Sequence, residues 1–181
     1  MPGRIVRLWL VSAAAAVALC ATLASSSAAA VTGTSAWRDA NATSAGPFSA
    51  PRMSATFVLG FRHASALNAL IAGSHRPLSA SAFQSRFSPS AATVRSVTRW
   101  AKSQQLAVTN VSSNRVLVTV SGSSAQIARA LNTRFGSFRS ARDGNFFALT
   151  RPARVPAAFA SHVTAVLGLS SLGRVRVPHP A

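Results

Sequence analysis

Glutamate and tyrosine are absent from this sequence, and its only acids are Asp39 and Asp143. A catalytic proton-transfer site needs titrating groups in mutual contact. Asp39 lies in a segment of small residues, and Asp143 precedes Gly144 in a turn, so neither can form a carboxylate pair or complete a Ser-His-Asp arrangement without leaving a structural role. The four histidines, His63, His75, His162 and His179, share no helical or hairpin spacing, and hard cations need oxygen donors that the chain lacks. No catalytic residue, metal or other cofactor is therefore expected. The single cysteine, Cys20, sits in an apolar N-terminal run.

That run is the first positive feature. Arg4 and Arg7 precede "LWLVSAAAAVALCATLA", and "SSSAAA" follows with small residues. This is the pattern of a secretory signal over residues 1–30, cleaved after Ala30. The run is Ala-rich, is broken by Ser12 and has no stop-transfer charges behind it, which argues against a membrane anchor. Leu19 stands where lipidation of Cys20 would require a small residue. Cleavage would remove the only thiol, so a secreted product would have no disulfide in a compartment that permits one.

Charge is the second feature. The chain has 19 basic residues and a net charge of +17, and Lys102 is the one basic residue that is not arginine. Without residues 1–30 the count is 17 basic residues against two acids, a net charge of +15. Such a surface attracts polyanions, acidic proteins or anionic membranes. The arginines are scattered rather than clustered in runs, which is equally what an arginine-rich composition without a dedicated anion site would give.

Residues 31–52 are small and polar with two prolines, and read as a flexible linker. A strand follows in "ATFVLGFR", then a helix in "ASALNALIAG" that Gly73 stops. Ser79 caps a second short helix with Phe83 and Phe87 at i, i+4. Ser88 before Pro89 is read as the N-cap of the main helix, with Val94, Val97, Trp100 and Ala101 on one stripe. "LAVTNVS" and "NRVLVTVSG" are strands around a Ser112–Ser113 turn, the second with Val116, Val118 and Val120 alternating against Leu117 and Thr119. Ser123 and Gln126 form a capping box, with Ile127 and Leu131 facing the core. "TRFGSFR" and "NFFALT" make a hairpin through Asp143–Gly144. One helical turn in "RPARVPAAFASH" and a last strand within "VTAVLGLSSL" complete the succession. The order predicts an α+β fold, a ferredoxin-like split βαβ sandwich with an antiparallel sheet and helices on one face.

Arg134, Phe135, Phe138, Arg139, Phe146 and Phe147 interleave rings and charges as an RNA-reading sheet does. A small sandwich needs rings in its core, and a secreted chain does not meet intracellular RNA, so these rings are read as core and no specific nucleic acid is expected.

From Met53 to Leu172, "RWAKSQQL", "VSSNRVLVTVSGSSAQIARALNT", "VPAAFASHV" and "AVLGLSSL" occur in an order that resembles the pro-kumamolisin activation domain, the propeptide of the sedolisin serine-carboxyl peptidases. "GSHRPLSASAF" is short where members carry a longer stretch. The resemblance implies a module that helps its peptidase fold, covers it, and directs a C-terminal connector toward the active-site cleft. Here that connector is 173–181, with Arg176, Val177, Pro178 and His179 as the cleft-directed residues. The catalytic Ser, Glu and Asp and the calcium site would belong to a following domain, and a chain without Glu cannot contain that triad.

The expected function is thus a secreted, non-catalytic binding module for a sedolisin-type peptidase, present in trans or encoded in an adjacent reading frame. Acidification would weaken the complex by protonating carboxylates on the partner. The alternatives are a secreted basic protein for anionic membrane or polyanion, and a truncated remnant of a peptidase precursor.

Overall fold

The computed structural model describes residues 28–30, 41–73 and 77–172. Most of the segment expected to be a signal, residues 1–27, and the expected connector, residues 173–181, lie outside them.

Four strands form the central sheet: β3 (Met53–Leu59), β4 (Ala107–Val111), β5 (Leu117–Gly122) and β9 (Val163–Leu167). Their order is β4-β5-β3-β9 and every neighbouring pair is antiparallel. Helix α3 (Ala91–Ser103) connects β3 to β4, and α4 (Ser124–Ala130) follows β5. This is the ferredoxin-like split βαβ arrangement expected from the sequence. Both helices cover the same sheet face. Val97 and Ala101 from α3, and Ile127 with Leu131 from α4 and its end, share one buried cluster with Phe57, Val118 and Val120. Trp100 meets the Phe57 ring edge-on at 5.5 Å. Burial of each large side chain in that cluster contributes about 2 kcal/mol.

A second sheet is built from a hairpin between α4 and β9 and from a strand that precedes β3. It consists of β2 (Ala42–Pro47), β6 (Arg134–Ser140) and β7 (Gly144–Arg151), in the order β2-β6-β7. β2 falls inside the segment 31–52 that its composition marks as linker. Its small residues carry no alternation, and what orders it lies elsewhere: the free side of β6 supplies backbone partners, and Phe48 stacks on Phe147 at 4.4 Å. Helices α1 (Ala64–Ala72) and α2 (Ala80–Phe87) lie between β3 and α3, and α5 (Ala157–Ala160) is the single turn expected before β9. A short β1 (Ala28–Ala30) pairs with β8 (Arg154–Pro156), placing Ala30 opposite Arg154.

Capping follows the sequence with one correction. Ser79 accepts from the Ala82 amide, and Ser123 and Gln126 form the reciprocal capping box. Ser88 does not cap α3. That role belongs to Ser90, whose Oγ accepts from the Thr93 amide, while Ser88 is the fully buried C-cap of α2. Pro89 separates the two helices, and only a serine beyond it can point its hydroxyl at the first turn of α3. The last strand stops at Leu167, where Gly168 turns the chain at φ +84°.

Candidate functional site: an uncharged sheet face

Helices α3 and α4 pack on one face of the central sheet, and on the opposite face Thr56, Val58 and Thr119 are half-buried. Alternation along each strand decides which side chains lie there. Ala55, Phe57 and Leu59 of β3 are buried under the helices, so Ser54, Thr56 and Val58 face outward. Register carries the assignment across the sheet. Asn110, Thr119, Thr56 and Leu167 form one row, and Leu117, Val58 and Ala165 form the next. Thr56 and Thr119 join through their Oγ1 atoms at 3.0 Å. Leu117 is 38% and Leu167 53% exposed.

None of these positions is charged, in a chain with 19 basic residues. The arginines lie elsewhere. Arg95, Arg99 and Lys102 form a stripe on the exposed side of α3, opposite Val97 and Ala101. Arg129 reaches Gln105 at 3.4 Å, and Arg151 donates to Asn132 Oδ1 at 2.7 Å. Arg62 is structural: its Nε donates to the Ser88 carbonyl at 2.6 Å and its Nη2 to the Ser85 carbonyl, satisfying the exposed carbonyls at the end of α2. A flat, neutral face of hydroxyls and aliphatic groups suits contact with another folded protein, whereas an anion-reading face would bring cations together.

A second apolar surface lies between α1 and α2, where Phe61, Leu67, Leu70, Ile71, Leu78 and Phe83 line a groove of about 380 Å³. Ile71 is 74% exposed.

The residues that the sequence singled out for chemistry stay apart. Asp143 closes the β6–β7 hairpin: its amide donates to Ser140 Oγ at 2.9 Å, and Ser140 Oγ approaches Asp143 Oδ2 at 3.2 Å. Gly144 supplies the positive φ there, +69°. His63 is the α1 N-cap with φ +52° and His162 follows α5, so the two serve chain ends. Asp39, His75 and His179 lie outside the described residues, as do Arg176, Val177 and Pro178. Among the described residues no three of His, Cys, Asp and Glu gather. Of the interleaved rings, Phe135 and Phe146 are buried, and Phe138 stacks on Phe146 at 5.6 Å. No helix among the described residues is long and apolar enough to cross a membrane.

The outward face is what sequence reasoning missed. "TFVL" and "LVTV" are apolar at both parities, so their alternation shows strands without saying which side is covered. Only register, with Thr56 opposite Thr119 and Leu167, separates the faces.

The architecture coincides with the matched region of a family model, that of the pro-kumamolisin activation domain, over residues 53–172. The chain belongs to this family. The match begins at the first residue of β3 and takes in the whole central sheet, its helices and the β6–β7 hairpin. The activation domain is also similar to Xanthomonalisin of Xanthomonas sp. (strain T-22), 36% identical over 124 residues. Those residues are 63% of this chain and 15% of that relative, so the chain spans only a small part of the curated protein it matches.

Proposed function

We propose that this activation domain is a secreted, non-catalytic module that docks the outward face of its central sheet on a sedolisin-type catalytic domain, as folding helper and inhibitor. The partner is in trans or comes from an adjacent reading frame. One observation carries the reading: in a chain of net charge +17, the outward positions Thr56, Val58, Leu117, Thr119 and Leu167, set side by side by register, are all uncharged. Contact through it would bury aliphatic groups without stranding a cation. Residues 173–181 would then lead toward the partner's cleft, with Arg176, Val177, Pro178 and His179 entering it. Arginines outside the face would meet partner carboxylates at its rim, and protonation of those carboxylates would loosen the complex in acid.

Titrating the purified chain into a mature sedolisin-type peptidase at neutral pH tests the reading. Stoichiometric loss of peptidase activity, with no activity in the chain alone, is expected. Undiminished activity at saturating chain would overturn it. The second reading, a polyanion binder, is favoured by the net charge alone. It predicts binding to a sulfated polysaccharide that falls by orders of magnitude as salt rises, with no preference for a peptidase.

A further inference from the structure

Asp143 is the only acid among the described residues, and its carboxylate is bonded at the β6–β7 hairpin tip. The exposed side of α3 therefore carries its positive charge with no described carboxylate beside it. Arg95, Arg99 and Lys102 recur there at four- and three-residue spacing, which stacks them on one side of the helix over about 10 Å of its axis. Where the next position of the row would fall, the helix has ended: Gln104 is the C-cap, and Gln105 turns the chain at φ +61°. The row continues from another element. Arg129, on the exposed side of α4, donates from Nη1 to Gln105 Oε1 at 3.4 Å, and Gln126 Nε2 of the same helix donates to the Gln105 carbonyl at 3.2 Å. Like charges three and four residues apart repel each other on a helix, so helix stability alone does not favour such a row.

What accompanies the cations selects the ligand. A single-stranded nucleic acid needs exposed rings on which its bases stack, and the ring of α3, Trp100, is turned against Phe57 and Phe159 at 5.5 and 5.4 Å. A helix that lies on a membrane needs apolar side chains to insert, and Val94, Val97 and Ala101 pack in or against the core. Cations in a row with neither companion fit a linear polymer whose negative charge repeats along its length. We propose that Arg95, Arg99, Lys102 and Arg129 form a binding site for an acidic polysaccharide, held by guanidinium pairs to its sulfate or carboxylate groups. The site lies on the helix side of the domain and leaves the sheet face opposite α3 and α4 free, so both surfaces can be filled together. It rests on the helix layer alone and stands or falls independently of any peptidase partner.

Calorimetric titration of the full chain with heparin at about 150 mM salt tests it. Arg99→Gln/Lys102→Gln is compared with Arg134→Gln/Arg142→Gln, which removes the same charge from exposed positions of the second sheet and its hairpin. The α3 variant is expected to bind at least tenfold more weakly than the wild type, with a shallower salt dependence, and the second-sheet variant to bind within threefold. An unchanged urea midpoint reports an intact fold in each. Arg129→Gln, which leaves α3 untouched, is expected to weaken binding severalfold. Wild-type affinity in Arg129→Gln overturns the proposal. Equal losses in the two double variants also overturn it, because the overall field would then do the binding. So does a wild-type chain that fails to bind heparin, or that binds DNA or phosphatidylglycerol vesicles more tightly than heparin.

Discussion

Thr56 and Thr119 face each other across β3 and β5 with their hydroxyl oxygens 3.0 Å apart, half-buried on the sheet face opposite α3 and α4. The pair satisfies itself, so the face presents aliphatic carbon and paired hydroxyls. Thr119→Val removes the hydrogen bond and keeps the β-branched shape. The expected stability loss is about 0.5 kcal/mol, measured as a small shift in urea midpoint. A loss several times larger would mean that the pair organises the sheet.

Arg62 contributes to stability through two backbone carbonyls at the end of α2. Arg62→Ala leaves those carbonyls without their charged donor and is expected to cost about 2 kcal/mol in chemical unfolding. Arg62→Lys keeps the charge and loses the planar fork, so it should recover only part of the loss. Full recovery by lysine would show that charge, rather than geometry, is what α2 requires.

Gly168 ends β9 at φ +84°, and a Cβ there would stand 2.6 Å from the Ser54 carbonyl oxygen. Gly168→Ala combines a strained backbone with a backbone collision that no side-chain movement relieves. A destabilisation of about 2 kcal/mol or more is expected from thermal or urea unfolding.

The Ser123–Gln126 box closes the first turn of α4 from both sides. Ser123→Ala should cost about 1 kcal/mol, and Gln126→Ala should remove the bond to the Ser123 amide while leaving Ser123 Oγ on the Gln126 amide. The double variant should lose less than the sum of the single losses, since each side chain positions the other.

Salt should separate encounter from grip. A strongly cationic chain docking through a neutral face is steered by its overall field and held mainly by uncharged contacts, with the rim pairs a smaller part. Raising salt from 50 to 300 mM should slow association with an anionic peptidase severalfold and speed dissociation by less, which surface-binding kinetics can read directly.

The sequence made the fold legible where local chemistry has to repeat. Ser123 with Gln126 and Asp143 with Gly144 mark one helix start and one turn, and the run of strands and helices around them admits few topologies. It misplaced the cap of α3 because Ser88 and Ser90 flank Pro89 with equal right to the role, and burial of Ser88 decided between them. It missed β2 because Ala42–Pro47 owes its order to the edge of β6 and to Phe48, contacts that are remote in sequence. The outward face was invisible for a related reason. Thr56, Thr119 and Leu167 come from three distant strands, and their shared lack of charge has meaning only once register sets them side by side.

If the sheet face opposite α3 and α4 does the docking, a charge placed on it weakens binding. The most direct measurement is the affinity of the chain for a mature sedolisin-type peptidase, comparing Thr119→Arg on that face with Arg95→Gln/Arg99→Gln on the exposed side of α3. Both variants should unfold at nearly the wild-type midpoint. Thr119→Arg is expected to weaken binding at least tenfold, about 1.4 kcal/mol, and the helix variant to bind within threefold of wild type. Wild-type affinity for Thr119→Arg, with a large loss for the helix variant, would contradict it.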